Sequence, residues 1–453
     1  MESNTRFLKR HIDIGPLFTD LYELTMAAAY IKSHLNERAT FSLFIRGFPH
    51  RRNYYVAAGL EDVLLELQNL SFSASDLAFL KSTGYFDDQF LTYLKDFRFS
   101  GDIHAVPEGT VFFAEEPILE VSAPLIEAQV IETFLLNTIG FQTLIATKAA
   151  RCIHAARGRT LIDFSLRRTQ GIDAGMKVAR STYLTGFAAT SNVLAGKVYG
   201  IPISGTMAHS FVQAFPNEQA AFRAYAAVFP EKSVFLIDTY DTLEGARQAV
   251  RVAKEMRTDG AALIGIRLDS GDMVRQSRQV RRILDQAGLS DVKIFASSGF
   301  DEYSLARTID QGAAIDAFGV GTKVGVSADA PYVDIVYKLV RYADRNVRKL
   351  SPGKQTLAGQ KQVYRVLDSD GRYKADFIGI RHEDPQPGVP VLISVMQNGR
   401  ILGELPSLDS ITKVFRNNFE NLKEQFKKLD NARAYPVHIT AQLAELQNLT
   451  KMP

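Results

Sequence analysis

Two carboxylates and an arginine crowd into Arg267-Leu268-Asp269-Ser270-Gly271-Asp272, where an apolar run turns polar. Carboxylates in such a turn can accept ribose hydroxyls or hold Mg2+, and the guanidinium can answer a phosphate. The plain alternative is Asp269 or Asp272 as a helix N-cap. Asp238-Thr239-Tyr240-Asp241-Thr242 repeats the theme, with Asp241 and Glu244 also readable as a capping pair. Asp238, Asp241 and Asp272 are the candidate metal ligands. Gly319, Gly321 and Thr322 follow another apolar run, and small residues there expose backbone N–H groups to a phosphate. A tight turn with no ligand is the competing reading.

A second group suits a flat anion. Asp163-Phe164-Ser165-Leu166-Arg167-Arg168 sets an aromatic ring beside two arginines, a stacking surface beside a guanidinium fork. Phe164 reads equally well as plain core. Gly205-Thr206-Met207-Ala208-His209 ends a further apolar run, which puts a histidine among these groups rather than in a core.

The elements that position these residues follow from the runs themselves. Residues 160–165, 201–206, 233–238, 261–269, 292–297 and 315–320 read as strands, each followed by a helix-like stretch. Leu243, Ala246, Val250 and Ala253 share one helical face, and Val280, Ile283, Leu284 and Ala287 another. Six such units predict an α/β fold whose parallel sheet forms an irregular, TIM-like barrel with its chemistry at the strand ends. Before the barrel, a helix over 19–32, a strand over 40–46 and helical structure over 125–157 are expected. After it come short strands punctuated by Gly353, Gly359 and the prolines of 385–390. A helix over 411–429 turns Ile411, Phe415, Leu422, Phe426 and Leu429 inward. The expected domains are 1–150, α/β with a bridging helix; 151–345, the barrel-like catalytic domain; and 346–453, a C-terminal segment packing on the flanking domain.

Composition narrows the classes. At 453 residues the chain exceeds one ordinary core. Its 53 basic and 50 acidic side chains leave a net charge of +3, which argues against a nucleic-acid partner. The single cysteine, Cys152, excludes an intrachain disulfide, and nothing resembles a zinc site. The first residues, MESNTRFLKRHIDI, hold no apolar core of signal-peptide length. The longest apolar stretch, 135–150, is broken by Asn137, Gln142 and Lys148 before the roughly 18 residues that span a bilayer. A cytoplasmic protein with no membrane partner is expected. No phosphate-binding G-x-x-x-x-G-K-[ST] and no G-x-S-x-G occurs, and the glycines of 319–325 only approximate G-x-G-x-x-G.

Nine blocks in order carry a family resemblance: TDLYELTM (19–26), EAQVIETFLLN (127–137), TLIATKAAR (143–151), DFSLRRTQG (163–171), TSNVLAGKVYGIPISGTMAHS (190–210), IDTYDT (237–242), RLDSGD (267–272), FGVGTKV (318–324) and VYKLV (336–340). The sequence resembles the nicotinate phosphoribosyltransferases. The resemblance implies a barrel-like domain flanked by an N-terminal domain, a homodimer with active sites at the subunit boundary, and synthesis of nicotinate mononucleotide and pyrophosphate from nicotinate and phosphoribosyl pyrophosphate (PRPP). ATP, with Mg2+, would be coupled through a phosphohistidine at His209. Phe164 would stack on the pyridine, with Tyr22 of the partner subunit across the ring. Arg167 and Ser191 would address the carboxylate, with Thr190 also in the substrate-binding set. Arg267 and Asp269 would bind the ribose, Gly321 and Thr322 the 5′-phosphate, and Arg46 the pyrophosphate. Ser165 departs from the family, which commonly has glycine there, so the backbone's approach to the ligand beside Phe164 is in question.

Three other readings compete. A nicotinamide enzyme of the same fold would prefer an acidic residue near Ser191. A quinolinate enzyme would need a denser basic pocket. A catalytically dead nucleotide-binding regulator would have no use for His209, Asp269 and Arg167 together.

Overall fold

Apolar strands that end in a polar residue, followed by a capped helix, are the repeating unit of the central part of the chain. The computed structural model describes residues 15–384 and 387–450. The chain forms two units, one spanning Lys148–Asp329, the other made of the residues up to Thr147 together with those from Ala330. The amino-terminal stretch read for a signal-peptide core lies outside the described residues, as does Pro385.

The strands of the Lys148–Asp329 unit are β1 (Thr160–Asp163), β2 (Ala189–Thr190), β3 (Val234–Leu236), β4 (Gly265–Leu268), β5 (Lys293–Ser297) and β6 (Ala317–Val320). All pair in parallel, in the order β2-β1-β6-β5-β4-β3. Leu161, Phe235, Ile266, Ile294 and Phe318 are buried along it. Strands covered on both faces read as unbroken apolar runs, which is why five of them are visible in the sequence. The TIM-like barrel expected from the sequence takes the form of a parallel half-barrel whose ladder ends at β2 and β3.

One expected strand is corrected. Residues 201–206 make only a single parallel bridge, Ile203 to Thr190. Pro202 has no N–H to donate to a ladder, and its carbonyl instead accepts from Thr190 N at 3.0 Å. The strand beside β1 is β2, too short to stand out as an apolar run. His209 therefore does not end a strand; it opens the short helix His209–Gln213.

Side-chain caps start the helices at the strand ends. Asp241 accepts from Glu244 N ahead of helix Thr242–Thr258, and Asp272 from Val274 N and Arg275 N ahead of Met273–Gln286. Asp301 forms a capping box with Ser304 at Glu302–Asp310. The first of these helices lies so close to the end of β3 that a Cβ on Gly245 would come within 2.0 Å of the Ile237 carbonyl oxygen. Only glycine allows that approach.

The other unit is built on a seven-stranded antiparallel sheet. In order across it lie Arg345–Asn346, Ile335–Tyr342, Arg38–Ile45, Pro117–Pro124, Asp102–Ala105, Ile393–Gln397 and Arg400–Ile401. Strands from both ends of the sequence thus share one sheet. A second sheet holds Val389–Pro390, Lys361–Leu367, Tyr373–Ile380 and Val437–Ile439. The helix expected over 411–429 is two, Leu408–Asn421 and Glu424–Lys427, because Leu422 turns extended at φ −71°, ψ 126°. Phe419 joins the buried stripe, while Leu429 is only half-buried.

Among the described residues no helix is long and apolar enough to cross a membrane. Lys148, which interrupts the apolar run, is 1% exposed and pairs with Glu302 and, at 2.6 Å, with Asp329. Glu302 also accepts from buried Arg151 Nε at 2.9 Å. Two buried cations thus share one buried carboxylate. Glu302→Ala leaves both undercompensated and is expected to cost about 3–5 kcal/mol, read by denaturant unfolding. A loss below about 1 kcal/mol would show that the cluster does not hold this unit together.

Candidate active site

The ends of β3 and β4 are tied by one carboxylate. Asp238 Oδ2 accepts from Asp269 N at 2.8 Å and from Ser270 Oγ at 2.7 Å. Its other oxygen is buried without a partner. Asp269, so held, accepts a hydrogen bond from Ser297 Oγ at the end of β5. Its second oxygen lies 3.8 Å from His209 Nε2. His209 Nδ1 and Thr239 Oγ1 are 3.1 Å apart, and the imidazole remains 38% exposed. Arg267 braces the histidine's segment, donating from Nη1 to Thr206 Oγ1 at 2.6 Å and from Nη2 to the Met207 carbonyl at 3.0 Å. Burial lowers the pKa of this guanidinium, an effect opposed by Asp269 and Asp238 and increased by Arg167. Glu218 is pushed up to about 7, by burial first and then by Glu244, Asp241 and Asp238. The floor of the site is therefore acidic, with Arg267 set across it.

The aromatic side is built on β1, β2 and β6. Phe164 N donates to the Val320 carbonyl at 2.8 Å. Its ring lies against Gly319, where a Cβ would sit 2.4 Å from ring atom Cδ2. Gly321 is equally constrained, since a Cβ there would approach the Phe164 carbonyl oxygen to 2.9 Å. Arg167 and Arg168 occupy an exposed 3-10 turn directly after Ser165. Ser191 is half-buried, and its N–H donates to the Asp163 carbonyl at 2.8 Å. Thr190 plays a different part from the one expected. It is 1% exposed, and its hydroxyl is spent on Asp163 Oδ2 at 2.8 Å. Thr322 is exposed and opens the helical turn Thr322–Gly325.

His209, Asp269, Arg267 and Asp238 are thus linked through side-chain or backbone contacts, and Phe164, Arg167, Thr190 and Ser191 through the β1–β2 ends. Asp241 and Asp272 each use Oδ1 as a helix cap. Tyr22 and Arg46 belong to the other unit. Tyr22 is 46% exposed on helix Leu21–Lys32. Burial, with Glu132, Glu23 and Asp20 nearby, keeps its phenol protonated. Arg46 lies 3.9 Å from Asp334, with its Nε buried and unpartnered. Sequence reasoning gave no role to Asp163, Thr239, Thr206, Ser297 or Ser270. Their shared signal is a small polar or acidic residue at or just past the end of an apolar run.

Comparison with known proteins agrees across the chain. Residues 17–140 match the N-terminal domain of nicotinate phosphoribosyltransferase, 160–366 the nicotinate phosphoribosyltransferase family, and 388–447 the C-terminal domain. A nicotinate phosphoribosyltransferase of Mycobacterium tuberculosis is 46% identical over 97% of this chain and 95% of its own. That of Bacillus subtilis is 39% identical over 94% and 92%. The crystal structure of human nicotinic acid phosphoribosyltransferase superposes with a TM-score of 0.86 at 30% identity, covering 95% of this chain and 99% of that one. A nicotinate-nucleotide pyrophosphorylase from Pyrococcus furiosus, at 24% identity and a TM-score of 0.73 over 90% and 95%, shares the fold. With three family domains matched in order and relatives this similar along nearly its whole length, the chain belongs to the nicotinate phosphoribosyltransferase family.

Proposed function

We propose that this protein is an ATP-dependent nicotinate phosphoribosyltransferase of NAD salvage, forming nicotinate mononucleotide and pyrophosphate from nicotinate and PRPP. The observation that carries the choice of substrate is at the β1–β2 ends. Arg167 offers a planar cation to a carboxylate, Ser191 is neutral, and the carboxylate of Asp163 has both oxygens engaged. An amide N–H2 would find no open acceptor charge from these residues. A quinolinate enzyme would need a denser basic pocket to hold two carboxylates.

The chemistry needs orientation more than a strong base. The ring nitrogen of nicotinate attacks the anomeric carbon as pyrophosphate departs, through an oxocarbenium-like transition state. Phe164 and the partner subunit's Tyr22 hold the ring between aromatic faces. Asp269, fixed by Ser297 and by its own N–H on Asp238, meets the ribose with Arg267. The Gly321–Thr322 turn, whose first N–H groups have no helical partner, takes the 5′-phosphate, and Arg46 the pyrophosphate. Magnesium would enter with the phosphorylated substrates, whose phosphate oxygens are the ligands it commonly takes. The buried, unpartnered Asp238 Oδ1 suits a single protein ligand to it. The ion would offset charge on the leaving pyrophosphate. Cys152, a buried free thiol, suits a reducing, cytoplasmic compartment.

In the ATP half-reaction, the lone pair of a neutral His209 nitrogen takes the γ-phosphoryl group while the bridging oxygen leaves with ADP. Water later cleaves the N–P bond. The phosphorylated ring adds negative charge beside the PRPP site, and its hydrolysis loosens that site for product release.

Purified protein with PRPP and Mg2+ should use nicotinate over nicotinamide by a large factor in kcat/KM, corresponding to roughly 2–4 kcal/mol for the lost charge-assisted bond. Equal use of the two bases would sink the substrate assignment. His209→Ala should abolish ATP hydrolysis and its stimulation of synthesis, while slow ATP-independent transfer persists. Acid-labile, base-stable phosphate should appear on the unaltered protein after incubation with ATP and be absent from the variant; a label mapping elsewhere would end the phosphohistidine reading. Mixing Tyr22→Ala and His209→Ala proteins, each lacking ATP-stimulated synthesis, should restore that stimulated activity in heterodimers that contain one intact site. No recovery after verified subunit exchange would rule out the shared site.

A further inference from the structure

Asp163 closes β1 and is 1% exposed, yet both of its carboxylate oxygens are occupied. Oδ1 accepts from Ser165 N at 2.9 Å and Ser165 Oγ at 2.5 Å, and Oδ2 from Thr190 Oγ1 at 2.8 Å. Its main-chain carbonyl accepts from Ser191 N at 2.8 Å. Thr190 Oγ1 in turn accepts from Asn192 N at 3.0 Å, and the Asn192 side chain caps helix Val193–Tyr199. One buried residue therefore bonds the turn that carries Phe164 and Arg167 to the turn that carries Ser191.

Glycines fix the other side of the same turn. A Cβ on Gly319 would strike the Phe164 ring at 2.4 Å, and one on Gly325 would strike Ser165 Cβ at 2.6 Å. The ring thus lies against the Gly319 backbone, and Ser165 beside it lies against Gly325, on a turn anchored by Asp163. Burial raises the pKa of Asp163, and the bonds from Ser165 and Thr190 oppose that rise.

We infer that Asp163 is a positioning residue for recognition of the pyridine carboxylate, setting the spacing between the Phe164–Arg167 turn and Ser191 through Ser165 and Thr190 without touching substrate. The inference rests on the proposed nicotinate activity. A carboxylate with three donors is costly to remove, because truncation strands the donors in a buried site. Asparagine can keep the arrangement: its carbonyl oxygen still accepts from Ser165, and its amide can donate to the Thr190 hydroxyl oxygen.

The test compares Asp163→Ala, Asp163→Asn, Thr190→Val, Gly325→Ala and Ser165→Gly/Gly325→Ala, with KM for nicotinate and for PRPP measured separately. Asp163→Ala is expected to raise KM for nicotinate about tenfold or more while KM for PRPP moves less than about threefold. Thr190→Val should shift in the same direction by less, and Asp163→Asn should stay within about threefold of the unaltered enzyme. Gly325→Ala should raise KM for nicotinate, and adding Ser165→Gly should recover most of it by removing the clashing side chain. If Asp163→Ala does not fold, Thr190→Val and the Ser165/Gly325 pair decide. Equal shifts in both KM values, or a loss of thermal stability with unchanged KM for nicotinate, would overturn the positioning role. Failure of the unaltered enzyme to use nicotinate would instead overturn the activity on which it rests.

Discussion

The site depends on carboxylates buried at the ends of parallel strands. A strand that stops at the edge of a buried sheet leaves the following turn with N–H groups that need partners. Asp163 and Asp238 supply them, one to Ser165 and the other to Asp269. Each aspartate takes a second bond from a hydroxyl, Ser165 or Thr190 in one case and Ser270 in the other. The turns that carry the candidate substrate residues are thus held by these two carboxylates. Truncating such an aspartate does more than remove one bond, because it strands several donors at once.

This arrangement explains what the sequence made legible. Five of the six strands announce themselves as apolar runs because both faces of a parallel sheet are covered. The polar residues at their ends were equally visible, and Asp241 and Asp272 read as caps because capping acts over two or three residues. The sixth strand, Ala189–Thr190, was hidden by its length, and Ile201 and Ile203 made its neighbour look like a strand although that run forms only one bridge. Thr190 lies 27 residues beyond Asp163, and Ser297 lies 28 beyond Asp269. No local spacing rule reaches that far. The candidate substrate residues stand in chemically distinctive motifs, whereas the residues that hold them are marked only as small polar or acidic residues at strand ends, with nothing local to pair them.

Histidine placement shows the same division. His209 was noticed for the apolar run before it, but its position comes from other contacts. Arg267 holds Thr206 and Met207 just upstream, and Thr239 meets Nδ1 from the end of β3. A guanidinium fork that bonds two points of one short segment restrains its rotation as well as its distance, which a lysine ammonium does less well. With Nδ1 committed to a hydroxyl and Nε2 facing Asp269 at 3.8 Å, the ring is oriented while 38% of its side chain stays exposed. The proposed nucleophile of the ATP half-reaction would need both properties, because a bulky phosphate donor must reach it.

The serine that departs from the family's usual glycine follows from the same geometry. A side chain at position 165 would threaten ligand binding only if it pointed into the cleft. Ser165 is fully buried, its hydroxyl bonds Asp163, and its Cβ occupies space left open by Gly325. The substitution leaves the ligand side of the turn unobstructed and gives Asp163 a third donor. A local departure from a motif is thus absorbed by a residue 160 positions away in sequence, across a contact that only the folded chain creates.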